Sequence, residues 1–163
     1  DVCSSDLKRA TARGTDFHQI CQDYLENKEL EWNDYQPLTK FMFHHAKPYL
    51  DKINNIHAIE RTLYSQYFGL AGRVDCIAEY DGKLSIIDFK TSNKPKKEEW
   101  IDNYFMQACF YSMAYYELTG IEVKHIVIII SVDEGESQVF VKSVKDYMKP
   151  LLKNITEYRR LHE

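Results

Sequence analysis

Two β-rich segments joined by Asp81-Gly82 constrain this chain more than any other feature in it. A two-residue loop of this type needs positive φ at both positions, which Asp and Gly tolerate, and it closes a tight hairpin. The loop also fixes register: Tyr80 pairs with Lys83, and every further pair has position numbers of the same sum. On that count Asp75 lands opposite Asp88. Directly opposed side chains have Cβ atoms about 4.5–5.5 Å apart, where like charges repel, so something must offset the repulsion. Alternation by two puts Asp75, Ile77, Ile86, Asp88 and Lys90 on one face, with the carboxylates at the strand ends beside an apolar core. A divalent cation fits such a pair. Mg²⁺ or Mn²⁺ prefers oxygen ligands and keeps several waters, so two carboxylates and a backbone carbonyl would serve. A β-bulge would separate the two acids, and Asp88 and Lys90 would then read as ordinary strand-end charges.

The remaining elements follow from periodicity and punctuation. Residues 15 to 26 predict a helix, with Thr15 as its cap and Phe17, Ile20, Cys21, Tyr24 and Leu25 as its apolar stripe. A second helix carries Leu38, Phe41, Met42 and His45, and Pro48 is expected to break it or restart it around Tyr49 to Ile53. Segments 57–67, 71–80 and 83–90 predict a three-stranded meander. Residues 97–119 predict a long, largely buried helix ending at Gly120. Val123 to Ile130 is a β-branched run suited to a strand covered on both faces, so strand, helix and buried strand imply a right-handed crossover. A short strand near Gln138 to Val141 and a basic amphipathic helix over 143–161 complete the order α, α, β, β, β, α, β, β, α. The fold class is therefore α/β, a mixed sheet flanked by helices, with 1–163 expected to form a single domain.

Composition narrows the class further. Hydrophobic residues make up 44% and charged residues 28% of 163, which excludes disordered and low-complexity chains. The longest apolar run, Ile126 to Ile130, is far short of the roughly 18 residues that span a bilayer, so a soluble protein without a membrane role is expected. The chain opens at Asp1 rather than Met, and a fragment or trimmed chain that has lost a leader is one expectation. Cys3, Cys21, Cys76 and Cys109 have no C-x-x-C spacing, and reduced intracellular thiols are expected. The net charge of −4 argues mildly against bulk electrostatic binding to nucleic acid, but charge is segregated. Asp16 to Asp34 holds six acids and one base, whereas Lys142 to Glu163 holds six bases and three acids.

Three runs carry a resemblance: Gly72-Arg73-Val74-Asp75, then Ile86-Ile87-Asp88-Phe89-Lys90-Thr91, then Gln107-Ala108-Cys109-Phe110-Tyr111. In this order they resemble the PD-(D/E)XK nucleases of the RecB-like group. Glu60-Arg61-Thr62-Leu63-Tyr64-Ser65 and Gly69-Leu70-Ala71-Gly72 extend the similarity to the branch of mitochondrial genome-maintenance and phage exonucleases. Arg13-Gly14-Thr15-Asp16-Phe17-His18 resembles the family's first motif, in which a helix supplies a metal-binding histidine.

The resemblance implies a restriction-endonuclease-like core and a role for each matching residue. His18, Asp75 and Asp88 would hold Mg²⁺ or Mn²⁺ with the Phe89 carbonyl, and Lys90 would orient or activate the attacking water. Gln107 and Tyr111 meet the pattern Q-x-x-x-Y on the helix face of Tyr104, where they can point toward the scissile phosphate or the lysine. Glu60 would support a second metal or hydrogen-bond Lys90. Each has a plainer alternative: His18 as a boundary histidine, Gln107 as a backbone partner, Glu60 as an edge-strand acid. His44, His45, His57 and His125 show no ligand spacing.

The implied reaction is metal-dependent hydrolysis of DNA from an end, with single strands or single-stranded ends as substrate, in replication, recombination or repair. Arg73, Lys94, Lys96, Lys97 and Tyr104 are the candidate DNA-binding residues. Tyr64, Tyr67, Phe68, Trp100 and Tyr104 are aromatics that could stack on unpaired bases, although core packing is the plainer expectation for most of them. A recombination or replication protein is an expected partner. The expected compartment is bacterial or phage-infected cytoplasm, or the mitochondrion. Alternatives are a nuclease module of a helicase–nuclease or CRISPR-adaptation system, and a catalytically silent nucleic-acid-binding protein. No cysteine follows Cys109, so no iron–sulfur cluster is expected.

Overall fold

The computed structural model describes residues 2–133 and 135–162, with side chains for 12–133 and 135–161; Cys3 therefore lies outside the described side chains. Five strands form one mixed sheet in chain order: β1 (Ile53–Ser65), β2 (Leu70–Tyr80), β3 (Lys83–Ser92), β4 (His125–Val132) and β5 (Gln138–Ser143). All neighbours are antiparallel except β3 and β4, which run parallel and are joined through helix α3 (Asp102–Thr119). Helices α1 (Val2–Leu25) and α2 (Pro37–Leu50) cover one face of the sheet. Helix α3 and the C-terminal α4 (Met148–His162) cover the other. The β-branched run of β4 is buried from Ile126 to Val132, as a strand covered on both faces requires.

The α/β architecture and the element order agree with the sequence expectation, and the boundaries differ for local reasons. Helix α1 begins at Val2, so Thr15 lies inside it and does not cap it; the run 6–13 is rich in Leu, Lys, Arg and Ala, which favour helix without a cap at Thr15. Pro48 neither breaks nor restarts α2, which runs on to Leu50. In the last turn only one hydrogen bond is lost to the missing N–H, and the chain turns directly into β1. The helix expected over 97–119 is divided: Glu98–Trp100 forms a 3₁₀ turn, and α3 starts only after Ile101, whose ψ of 24° departs from helix as its side chain enters the core. Gly120, with φ 75°, closes α3 as expected. Likewise β4 starts at His125 rather than Val123, where pairing with Ser85 begins, and a 3₁₀ turn over Val144–Tyr147 precedes α4.

The hairpin register holds from Tyr80–Lys83 through Cys76–Ile87, with φ of 51° at Asp81 and 82° at Gly82. The ladder then stops. Asp75 and Asp88 are not a ladder pair, in contrast to the sequence expectation, because β2 separates from β3 there while still pairing with β1. Alternation also fails at this level. Ala58 and Leu63 both face the α3 layer, as do Val74 and Ile77, and odd spacings of five and three cannot come from a period of two. The two strands flip faces together with no change of register, since Ile59 pairs with Cys76 and Arg61 with Val74. Glu60 absorbs the break with a φ of 48°, an uncommon conformation for a residue with a Cβ.

Candidate active site

The separation of β2 from β3 opens the space in which the sequence candidates meet. Asp75 turns its carboxylate into the gap and accepts the Phe89 N–H on Oδ2 at 2.8 Å, taking the place of the strand carbonyl that no longer reaches it. The same oxygen lies 3.2 Å from His18 Nε2 of α1. The His18 ring is steered from its other side: Nδ1 lies 2.8 Å from the Gly14 carbonyl, one helical turn earlier. Such a bond leaves Nε2 facing the carboxylates. Helix α1 passes over the end of β3 here, where a Cβ on Gly14 would make ordinary contact with Thr91 Oγ1 at 3.4 Å.

Asp88 lies next to Asp75 and is 5% exposed. Lys90 Nζ is 2.8 Å from Asp88 Oδ2, but the angle leaves that buried oxygen without a hydrogen bond. Lys90 also lies 3.4 Å from Gln107 Oε1 and 4.8 Å from the centre of the Tyr104 ring, so α3 holds the ammonium from above. Glu60 is drawn in from β1: it interacts with Asp75 and pairs with Arg73, whose Nε is 2.9 Å from Oε2.

Charge is distributed unevenly over the cluster. Burial and then the charge of Asp75 push the Asp88 carboxyl above its ordinary value. Burial acts the same way on Asp75, but hydrogen bonds from His18, Asp88 and the Phe89 N–H outweigh it and hold that carboxyl below the usual range. Burial opposes the His18 charge, yet its hydrogen bond and charge pairing with Asp75 raise the imidazole to about 9. Lys90 is also raised, the charge of Asp88 overcoming the cost of burial. The site thus holds two adjacent carboxylates that resist joint ionisation, flanked by two cations.

Tyr111 contributes differently from Gln107. It is buried, and its ring occupies the volume left empty by Gly72: a Cβ there would approach Cε1 to 2.8 Å and Oη to 3.2 Å. Packed against Gly72 in this way, it braces β2 beside Asp75. The outer cationic candidates lie along the segment after β3. Lys94 and Lys97 are exposed, with Lys97 Nζ 5.1 Å from the Trp100 ring centre, whereas Lys96 is tied through its backbone to the Gln138 amide at 2.8 and 3.0 Å.

Two contacts escaped the sequence reading. Arg13 Nη1 pairs with Asp133 Oδ2 at 2.6 Å, linking the start of the first motif to the end of β4. The hydrogen bond from Phe89 to Asp75 is the other. Neither leaves a local signal, since both depend on which strand ends lie side by side. The i, i+4 relation of Gly14 and His18 was readable from the helix period.

An Asp–Asp–Lys cluster at the splayed centre of a mixed sheet, with a histidine from a covering helix, gathers acids and bases in the arrangement polar chemistry needs. The chain belongs to the PD-(D/E)XK nuclease superfamily, whose family model matches residues 3–157. It is 33% identical over 85 residues to human mitochondrial genome maintenance exonuclease 1, covering 52% of this chain and 25% of that protein. It is 32% identical over 84 residues to an ATP-dependent helicase/nuclease polypeptide of Clostridium beijerinckii, covering 48% of this chain and 7% of that polypeptide. The chain thus spans about a quarter of the length of the human relative it matches. A solved structure of a candidate exonuclease from Eubacterium rectale superposes with a TM-score of 0.55 at 12% identity, over 88% of this chain and 63% of the other, a likeness of fold.

Proposed function

We propose that this protein is a metal-dependent DNA exonuclease that hydrolyses phosphodiester bonds and prefers single-stranded ends, acting in replication, recombination or repair. The observation that carries the reading is the convergence of His18, Asp75, Asp88 and Lys90, with one buried Asp88 oxygen left without a hydrogen bond.

The donor set fits a hard cation. Among the described residues no group of three or more His, Cys, Asp or Glu side chains is gathered as a preformed cage. Mg²⁺ is ordinarily held by one or two carboxylates together with waters and substrate phosphates rather than by an all-protein cage. His18, Asp75, Asp88 and the Phe89 carbonyl would hold Mg²⁺ or Mn²⁺. When bound, the ion supplies a water of lowered pKa and charge stabilisation at the phosphate.

The chain's own residues do the rest. Lys90, held 2.8 Å from Asp88 and beneath Gln107 and Tyr104, orients or activates the water and meets the phosphate. Gln107 and Tyr104 hold it in place, Tyr111 braces β2, and Glu60 sets the orientation of Asp75 and Arg73. Arg73, Lys94, Lys96 and Lys97 meet the DNA backbone on either side. The family match and the name of the human relative support this reading.

End-labelled single-stranded DNA, duplex DNA and a circular single strand, each incubated with Mg²⁺, Mn²⁺ or EDTA, provide the test. Linear strands are consumed only with metal, the circle survives, and Asp88→Ala and Lys90→Ala are inactive. Cleavage of the circle replaces exonuclease with endonuclease, and activity in EDTA or in both variants removes the catalytic assignment. A nuclease module within a helicase–nuclease assembly is the second reading, favoured by the Clostridium beijerinckii match; there activity on linear DNA requires the helicase partner.

A further inference from the structure

The β1–β2 hairpin continues past the point where β2 leaves β3, forming a two-stranded arm from residues 61 to 74. Its inner face is committed to the core: Leu63 is buried and Gly72 receives Tyr111. Pairing therefore fixes the outer face, where Thr62 opposes Arg73 and Tyr64 opposes Ala71. Tyr64 is 57% exposed, a large aromatic surface on that face. Arg73 is its diagonal neighbour and bonds Glu60, which interacts with Asp75, so the face is continuous with the carboxylate site. From Glu60 to Tyr64 the strand advances about 13 Å.

Charge and rigidity favour one occupant. Between residues 61 and 74 there is no acidic residue, and the outer face carries Arg73, whereas Arg61, paired with the buried Val74, falls on the opposite parity. The turn at the tip is pinned by Arg159, whose Nη2 donates to the Phe68 carbonyl at 2.6 Å, and by the Tyr67 N–H, which donates to Glu117 at 3.2 Å. An exposed aromatic ring on a strand whose turn is held in place, diagonal to a guanidinium and leading to the carboxylate site, is the arrangement that binds unpaired bases and their backbone.

We infer that the outer face of this arm, with Tyr64 beside Arg73, holds the unpaired DNA strand where it enters the carboxylate site, Tyr64 stacking on a base. The inference rests on the nuclease reading and adds the residue that selects single strands over duplex, whose bases are already stacked on one another.

Tyr116 supplies the control. It is 56% exposed on α3 and lines a cavity of about 1070 Å³ with Met113 and Met148, away from the outer face. Binding of a short fluorescein-labelled oligothymidylate and of a duplex is read by anisotropy, with Ca²⁺ in place of Mg²⁺. Tyr64→Ala weakens single-strand binding about ten-fold, the scale of one lost base–aromatic stack. Tyr64→Phe restores it, Tyr116→Ala leaves it unchanged, and duplex binding moves little in any variant. Equal affinity of wild type and Tyr64→Ala, an equal loss in Tyr116→Ala, an equal loss on duplex, or no binding by wild type each overturns the inference. Mn²⁺-dependent hydrolysis of an abasic oligonucleotide, which offers phosphodiesters and no aromatic ring to stack on, separates the two readings. Tyr64→Ala keeps that activity. If wild type lacks it while oligothymidylate binding still follows Tyr64, the nuclease reading fails and the arm stands.

Discussion

Asp75 Oδ2 accepts the backbone N–H of Phe89 at 2.8 Å, so the carboxylate at the centre of the candidate site also closes the sheet where two strands part. One residue therefore carries a structural and a chemical duty. The two separate on substitution. Asp75→Asn keeps an acceptor for the Phe89 N–H, whereas Asp75→Ala leaves that donor without one, at a cost of about 1–3 kcal/mol for a buried group. Both variants are inactive, and urea denaturation of the metal-free proteins finds the alanine variant the less stable.

Asp88 presents the opposite balance. Burial and the neighbouring Asp75 disfavour its charge, and one oxygen has no hydrogen bond. Removing that charge relieves the site, so Asp88→Asn melts at the same temperature as metal-free wild type or higher, while nuclease activity is lost. A melting temperature several degrees below wild type would show that the Lys90 ion pair outweighs the repulsion.

The His18–Asp75 pair gives a pH dependence whose sign is fixed. Folding raises the imidazole from 6.5 to about 9, so its contribution to stability is complete below pH 6.5 and disappears as pH rises through about 9. Metal-free wild type accordingly loses stability between those values relative to His18→Gln. Thermal melts at constant ionic strength across that window test it, and parallel curves for the two proteins would dissociate His18 from the effect.

Gly72 and Tyr111 are matched in shape. Gly72→Ala forces a Cβ to 2.8 Å from the Tyr111 ring, which is buried and cannot swing away. Overpacking of this kind costs about 1–3 kcal/mol. Shortening the ring with Tyr111→Leu in the same chain recovers part of that loss, so a double-mutant cycle in urea has a non-zero coupling.

Arg13 and Asp133 form a partly buried ion pair 120 positions apart. Removing one partner strands the other, so Arg13→Ala and Asp133→Ala each destabilise by about 1–3 kcal/mol, and the double variant loses less than their sum. Additive losses would mean that the two residues stabilise the fold independently.

The element order, the parallel pairing of β3 with β4 and the register of the Asp81-Gly82 hairpin were legible because each follows from short-range rules: period, turn chemistry and pairing arithmetic. Helix boundaries at Thr15, Pro48 and Lys97 were less so, since terminal turns are settled by what packs against them. Of the candidate residues, Asp75, Asp88, Lys90 and Gln107 were readable as a cluster, and the structure brings them together with His18.

By itself the sequence determined the register of the Asp81-Gly82 hairpin, because a two-residue turn pairs Tyr80 with Lys83, and that register directs Asp75 toward Asp88. Only the tertiary structure decided how they meet. Strict alternation would have paired them across a continuous ladder, but β1 and β2 flip faces together at Glu60 and Asp75, and β2 leaves β3 at the same level. That break depends on Leu63, Val74 and Tyr111 packing beneath the arm while α1 brings His18 over the gap, contacts between residues far apart in the chain. Local periodicity carries no record of them, and burial of the apolar arm against α3 is what holds the irregular backbone of the site in place.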